Sequence, residues 1–525
     1  PAEAFTRPDE ETGLGILRTE RGNLPLHRLD VRARITALTA GVEVTQGYRN
    51  PFGEPLEATY VFPLPPRAAL TRLTLTAADR TIHAQLQERG AAREAYDTAI
   101  AAGQRAAIAE EERPDVFTLR VGNILPGEQV SVTLELAQPL AVVDGEAEFR
   151  FPLVVAPRYI PGKPIDGEQV GDGYAGDTDA VPDASRISPP VLLPGFPNPV
   201  ALSLRAEIDP AGLELAGVDS SLHAVRDSGG GIEIQPGERL DRDFILRLRY
   251  AGGSSALVFA PDGTIGGPTE GGPTEGGVPE GTFQLIAYPP ELPEAPRPRD
   301  LVLLLDRSGS MGGWKMVAAR RAAARIVDTL RDGDRFAVLT FDHVVEWPDG
   351  KPGTLVAATD RNRYRAVEHL SRADARGGTE LLQPLRDGLA LLADASRDRV
   401  LVLVTDGQVG NEDQILHEVD AALAGVRVHT VGIDQAVNAG FLGRLAVAGR
   451  GRCELVESEE RLDDAMSRIH RRIGSPVVTG VRLDAGDVTV DEVTGLGDLF
   501  PGVPLVVAGR YRGQPGQLVL RGRTP

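Results

Sequence analysis

Residues 299–316 read RDLVLLLDRSGSMGGWKM, an apolar run that ends in a carboxylate. Leu301 to Leu305 has the unbroken apolarity of a strand buried on both faces, and Asp306 closes it. A buried carboxylate is costly unless something pairs with it. Arg307 is the adjacent cation, but successive side chains of a strand point to opposite faces. Two hydroxyls follow at Ser308 and Ser310, spaced so that one turn presents both. Two later loops add the same kind of atom. RGGTEL offers Thr379 ahead of a helix, and VTDGQ offers Asp406 at the end of a second apolar strand. Asp306, Ser308, Ser310, Thr379 and Asp406 are all hard oxygen donors, with no His or Cys beside them. That set suits Mg²⁺ foremost, or Mn²⁺ or Ca²⁺, and disfavours zinc and copper. Gly309, Gly377 and Gly378 allow the close backbone approach such a site needs. Either Asp alone reads better as a helix cap. The five oxygens together favour a metal.

The elements that must hold these loops are legible from periodicity. From Asp300 onward, strand-like runs such as DLVLLLD, RFAVLTF, DRVLVLVTDG and VRVHTVGI alternate with helical ones. In the first helix Met316, Ala319, Ala323, Ile326, Val327 and Leu330 share a face. Unbroken apolar strands, each followed by an amphipathic helix, predict a doubly wound, mainly parallel sheet covered on both sides over 296–473. Function in such a sheet collects at the carboxyl ends of strands, where all three loops fall.

The flanks read as β-structure. Residues 20–162 alternate apolar and polar, with one helical piece, GAAREAYDTAIAAGQ, and predict an antiparallel sandwich carrying one helix. Residues 1–19 form a lead segment, and the Pro-, Gly- and Asp-rich 163–198 a connection. Residues 199–295 and 474–525 are strand-rich and predict the two parts of a β-sandwich split by the α/β domain. The GGPTE repeat makes 265–281 a flexible loop. The fold class is thus multidomain, α/β plus all-β.

DRSGSM, Thr379 and TDG together resemble the metal-ion-dependent adhesion site of von Willebrand factor type A domains. The resemblance implies that Asp306, Ser308 and Ser310 bind the ion directly, Thr379 and Asp406 directly or through water, and that a partner carboxylate completes the shell. EATYVFPLPP, DVFTLRVGNILPGEQVSVTLEL and FRFPLVVAPRYIPG resemble the vault/inter-alpha-trypsin (VIT) domain. This pairing is similar to inter-alpha-trypsin inhibitor heavy chains and their bacterial relatives. Their attachment motif for glycosaminoglycan has no match here, so hyaluronan chemistry is not carried over.

Composition narrows the function classes. The formal net charge of the 525-residue chain is −19, which argues against nonspecific nucleic-acid or anionic-membrane binding. The apolar runs are too short to span a bilayer, so no membrane insertion is expected. One cysteine, Cys453, excludes an intrachain disulfide and reads as a core residue. The chain begins with Pro rather than Met. A removed leader implies an extracellular or cell-surface protein, its absence a cytoplasmic one. The expected function is a non-enzymatic, cation-dependent binding module that captures an exposed Asp or Glu of a partner protein. The alternatives are a scaffold that the ion merely stiffens, with the VIT surface binding partners, and a metal-assisted hydrolase. Near the site, Trp314 and Met311 are readable as partner contacts or as packing. Asp334, Asp342, Asn50 and Asn123 read as turn residues or strand ends.

Overall fold

Alternation in the sequence becomes alternation in burial. Along Thr39–Arg49 exposed or half-exposed side chains interleave with the buried Ala40, Val42, Val44 and Tyr48. The computed structural model describes residues 14–524, apart from 16, 20–21, 25, 51, 66–67, 78–79, 85–86, 88, 105, 114–115, 144–145, 154–158, 166, 168, 171–174, 189–190, 193–200, 212, 230, 239–241, 251–254, 262–279, 291–296, 349–352, 463–464, 466–475 and 502–503.

An eight-stranded sheet sets the strands Leu26–Thr36, Thr39–Arg49, Gln129–Pro139 and Ala69–Ala77 side by side in that order. It packs against a five-stranded sheet that includes Leu56–Pro63, Val116–Ile124 and Ala106–Arg113, through Val31, Val44, Val132, Leu119 and Val121. The helix Arg89–Ala101 lies on it and buries Tyr96. Asn50 is fully buried and closes the turns around it. Its Nδ2 donates to the carbonyls of Glu54 and Ile124, and its Oδ1 accepts the Phe52 N–H. Asn123 takes φ of 56° and donates to the Gln104 carbonyl, again a turn role.

The strands over 201–250 require a correction. They were expected to open the split sandwich, but they complete the first domain. Ala201–Asp209 runs parallel to Leu26–Thr36, with Leu204 opposite Val31. Phe244–Tyr250 pairs antiparallel with Glu146–Phe151. Both strands send buried side chains into the first core, where Phe244 meets Phe149 edge to face at 6.3 Å between ring centroids. Truncating such a ring costs about 3–5 kcal/mol. Phe244→Ala is therefore expected to lower the unfolding free energy by that amount in urea titration. A change below about 1 kcal/mol would mean that the ring leaves no cavity.

The split β-unit begins later. Ala256–Pro261 and Glu280–Ala287 pair with Leu505–Arg512 and Thr489–Thr494 from the far side of the α/β domain. Phe283, Leu285, Val507 and Tyr511 are its core. The repeat-bearing loop 265–281 lies outside the described residues except for Glu280 and Gly281, which open a strand.

In the α/β domain the parallel strands Arg335–Phe341, Arg299–Asp306, Asp398–Thr405, Arg427–Ile433 and Arg450–Val456 lie side by side in that order. Every residue of Arg299–Asp306 is buried. Leu301, Leu303 and Leu305 face one layer, with Met316, Ala319, Ala323, Ile326 and Val327 of the helix Trp314–Asp328. Val302 and Leu304 face the other, with Leu385, Leu389, Ile415, Phe441 and Leu442. A helix at Asp360–Ser371 adds to the series read from the sequence. The last helix expected, ending at Ile473, falls largely outside the described residues. Among the described residues no helix is long and apolar enough to cross a membrane.

Candidate functional site

The chain enters this sheet at Arg299–Asp306, steps to Arg335–Phe341 on one side, and later adds Asp398–Thr405 on the other. The connections leaving these two neighbouring strands thus run to opposite sides, and the crevice beyond the strands' carboxyl ends is where such sheets place ligands. Asp306 ends one of these strands and Asp406 follows the other. Both carboxylates are fully buried.

Asp306 is held on both oxygens. Oδ1 accepts the Ser308 N–H at 2.8 Å, and Oδ2 accepts the Thr405 hydroxyl at 2.5 Å. Burial first, and the charge of Asp406 second, push its pKa up to about 7 against the two hydrogen bonds. The Ser308 and Ser310 hydroxyls lie 3.1 Å apart, Ser308 buried and Ser310 half-buried. Two hydroxyls so close can face one ion. The Thr379 loop is fastened to theirs by Gly309 N–H to the Gly377 carbonyl at 3.0 Å and Arg376 N–H to the Arg307 carbonyl at 2.7 Å. Thr379 itself is buried. Asp406 accepts the Gln408 N–H on Oδ1 at 3.1 Å, and Gly407 takes φ of 73° to make that turn.

Asp406 Oδ2 is buried without a hydrogen-bond partner, its nearest cation being Lys315 Nζ at 3.6 Å. Lys315 also donates to Asp434 Oδ2 at 3.3 Å. Burial raises the pKa of Asp434, Lys315 lowers it, and Asp406 raises it further. Three carboxylates and one ammonium therefore share the floor of the crevice. Among the described residues no group of three or more His, Cys, Asp or Glu side chains could hold a metal ion. A cation here would rest instead on two carboxylates plus hydroxyls. An Asp406 oxygen that accepts no hydrogen bond and the mutual repulsion of two buried carboxylates fit a hard divalent cation.

Arg307 does point away from Asp306, as strand geometry required. It pairs with Asp342 at 3.2 Å and with Glu346 at 2.6 Å. Burial disfavours the Asp342 charge, but the Val344 N–H, Arg376 and Arg307 more than offset it, and its pKa falls. Asp342 is more than a strand end. With Glu346 it clamps Arg307 and Arg376, and its carbonyl accepts the Glu380 N–H at 2.9 Å. Asp334 keeps a structural role, pairing with Arg299 at 2.9 Å and capping the Arg331 N–H. Met311 is fully buried and Trp314 half-buried against the helix layer, so both pack. Cys453 is half-buried, and burial pushes its thiol up to about 12, leaving it unreactive. Thr405, Lys315, Asp434 and Asp342 were missed from sequence. Thr405 had a signal, since it precedes Asp406 in VTDGQ.

A doubly wound sheet with DxSxS at its switch point, Thr in a second loop and Asp in a third defines a type A domain. Comparison with known families agrees. The von Willebrand factor type A domain family matches residues 299–455, and the Vault protein inter-alpha-trypsin domain family matches 26–136. The chain is a VIT plus von Willebrand factor type A domain protein. It is similar to von Willebrand factor A domain-containing protein 5A of Rattus norvegicus, 26% identical over 85% of this chain and 54% of that one. It is also similar to human protein mono-ADP-ribosyltransferase PARP4, 24% identical over 89% of this chain and 26% of that one. Among solved structures, a von Willebrand factor type A protein from Catenulispora acidiphila covers 52% of this chain and 70% of its own at 19% identity and TM-score 0.38. The chain spans about half the length of the curated relatives it matches first.

Proposed function

We propose that this chain is a protein-binding module of the adhesion type. Asp306, Ser308, Ser310, Thr379 and Asp406 hold a divalent cation, Mg²⁺ first, and the ion captures an Asp or Glu carboxylate of a partner. Hard oxygen ligands leave Mg²⁺ short of a full octahedron, and an anionic oxygen is the natural occupant of the free position. The observation that carries this reading is the pair of fully buried carboxylates, Asp306 and Asp406, at the ends of adjacent strands, with one Asp406 oxygen accepting no hydrogen bond and facing only Lys315 at 3.6 Å. A net charge of −19 puts any acidic partner segment at a disadvantage away from the ion, so binding depends on it.

The test compares partner proteins recovered on the immobilised chain in Mg²⁺, in EDTA and with Asp406→Ala. The expected result is recovery in Mg²⁺ only, on the wild-type chain only. Equal recovery in EDTA, with a lowered melting temperature, would instead make the ion a stiffener and leave the binding to the VIT surface.

A metal-assisted hydrolase is the second reading, favoured by one feature that sequence did not reveal. His343 packs beside Gly377, where an added Cβ would come within 2.6 Å of Nδ1, and that nitrogen lies 3.2 Å from Asp342. Turnover of a phosphoester that is lost in His343→Gln would move the assignment to catalysis.

A further inference from the structure

The connection between the first two β-regions is knit into a body of its own. Val181, Ala184 and Ile187 form its small core, with Ile160 and Ala175 against them. The Asp177 carboxylate is buried and accepts the N–H groups of Val170 and Ser185, both at 2.8 Å. Thr178 donates to the Pro161 carbonyl at 2.6 Å and accepts the Val181 N–H at 3.0 Å. Six side-chain and backbone groups are thus spent on fixing a segment rich in Gly, Pro and Asp.

What this body rests on is the rim of the site. Tyr159 forms a parallel bridge to Val409. Its N–H donates to the Gln408 carbonyl at 3.1 Å, and its carbonyl accepts the Gly410 N–H at 2.9 Å. These are the residues just after Asp406, and they are buried. The same tyrosine's ring lies on Gly378, the residue before Thr379. A Cβ there would stand 2.4 Å from the ring. Its hydroxyl donates to Glu380 Oε1 at 3.4 Å, on the other side of Thr379. Ile160 fills the space at Gly410 in the same manner, 2.6 Å from where a Cβ would be. One residue therefore touches the Thr379 loop with its ring and the Asp406 loop with its backbone.

We propose that Tyr159 is a positioning residue for the cation site, and that the body formed by the described residues of 159–188 clamps the Thr379 and Asp406 loops at the spacing a single ion requires. This inference rests on the cation reading above and adds to it a regulator outside the type A domain. Ligand loops left free must be ordered when the ion binds, and that ordering subtracts from affinity. Outer contacts that orient metal ligands typically govern affinity by about 10- to 100-fold. The clamp belongs to the stretch that leaves the first sandwich after Leu153, which is buried in that sandwich's core.

The test titrates Mn²⁺ into the full chain by calorimetry and follows amide exchange of Gly378–Glu380 and Gln408–Gly410. Tyr159→Ala is expected to weaken Mn²⁺ binding about 10- to 100-fold and to speed exchange in both loops. Tyr159→Phe keeps the ring and the backbone bridge and stays close to wild type. Gly378→Ala attacks the same contact from the other side, forces the ring to move, and weakens binding too. Wild-type Mn²⁺ affinity in both Tyr159→Ala and Gly378→Ala overturns the clamp while leaving the cation reading standing. A wild-type chain that takes up no Mn²⁺ overturns both.

Discussion

Asp306→Asn is expected to make the cation-free chain more stable above pH 7 and, on the proposed cation reading, to abolish its response to magnesium. The reasoning starts from a carboxylate with no exposed surface, facing a second one at Asp406. Burial, then the Asp406 charge, raise its pKa from 3.8 to about 7. In the unfolded chain the proton leaves near 3.8; in the folded chain it leaves near 7. Between those values the folded state holds a proton that the unfolded state has released. The stability this group contributes is full below 3.8 and is lost as the pH rises through about 7. A shift of that size corresponds to about 4 kcal/mol as an upper figure. Asparagine keeps an acceptor for the Ser308 N–H and leaves the charge out, so the penalty at pH 8 disappears. A bound cation reverses the sign in the wild type, because it favours the ionised form. At a hundredfold excess over its dissociation constant an ion adds about 2.7 kcal/mol. Melting curves from pH 5 to 8.5, in EDTA and in MgCl₂, check both halves. In EDTA at pH 8 the variant melts above the wild type. In MgCl₂ only the wild type rises. A variant that melts below the wild type in EDTA at pH 8 would show that the carboxylate is paired by something other than a cation.

What the sequence made legible follows from how local each signal is. Leu301 to Leu305 announces a strand buried on both faces because both faces are in fact covered, by separate helix layers. The serine hydroxyls of DRSGS are two residues apart, and Ser308 and Ser310 meet without help from the rest of the fold. Lys315 and Asp434 are different. They meet 119 residues apart, and neither carries a pattern that says so. The same holds for Asp342, which reads as a strand end until Arg307 and Arg376 converge on it. The helix Asp360–Ser371 buries only Ala366 and Leu370, too few to impose a visible period. Ala201–Asp209 has an ordinary strand pattern. Its parallel partner, Leu26–Thr36, is a matter of topology that alternation cannot encode. Residues 163–198 look like a linker because Gly, Pro and Asp suit linkers. The same residues serve where side chains such as Asp177 and Thr178 bond the backbone into a compact body.

Arg247→Met is expected to destabilise the chain by about 3–5 kcal/mol, the usual cost of breaking a buried ion pair by removing one partner. Arg247 belongs to Phe244–Tyr250 in the first domain, and Glu457 follows the last described strand of the α/β domain. They meet at 2.7 Å, Glu457 with no exposed surface. Arg247 also pairs with Glu148 at 2.8 Å and donates to Ser221 at 2.9 Å. Burial works against the Glu457 charge, yet Arg247, and Arg150 behind it, hold its pKa below the usual carboxylate value. The wild-type contribution is therefore present above 4.5 and is lost as the pH falls through the lowered value. In Arg247→Met the largest opposition to burial is gone, with Arg150 and, at 3.9 Å, Arg461 left beside Glu457, so its pKa rises and the gain of stability with rising pH shrinks. The double variant Arg247→Met with Glu457→Gln removes the stranded charge and recovers most of the loss. Because the pair joins two domains, the single variant is also expected to unfold in two steps where the wild type unfolds in one. Guanidinium titration at pH 5 and pH 8, followed by circular dichroism and by calorimetry, reads all three effects. A variant within about 1 kcal/mol of wild type at both pH values would mean that water reaches Glu457 once the arginine is gone. The domains would then be joined by apolar packing and by Arg150–Asp243, a buried pair at 2.8 Å within the first domain whose Asp243 N–H reaches across to the Gln435 carbonyl.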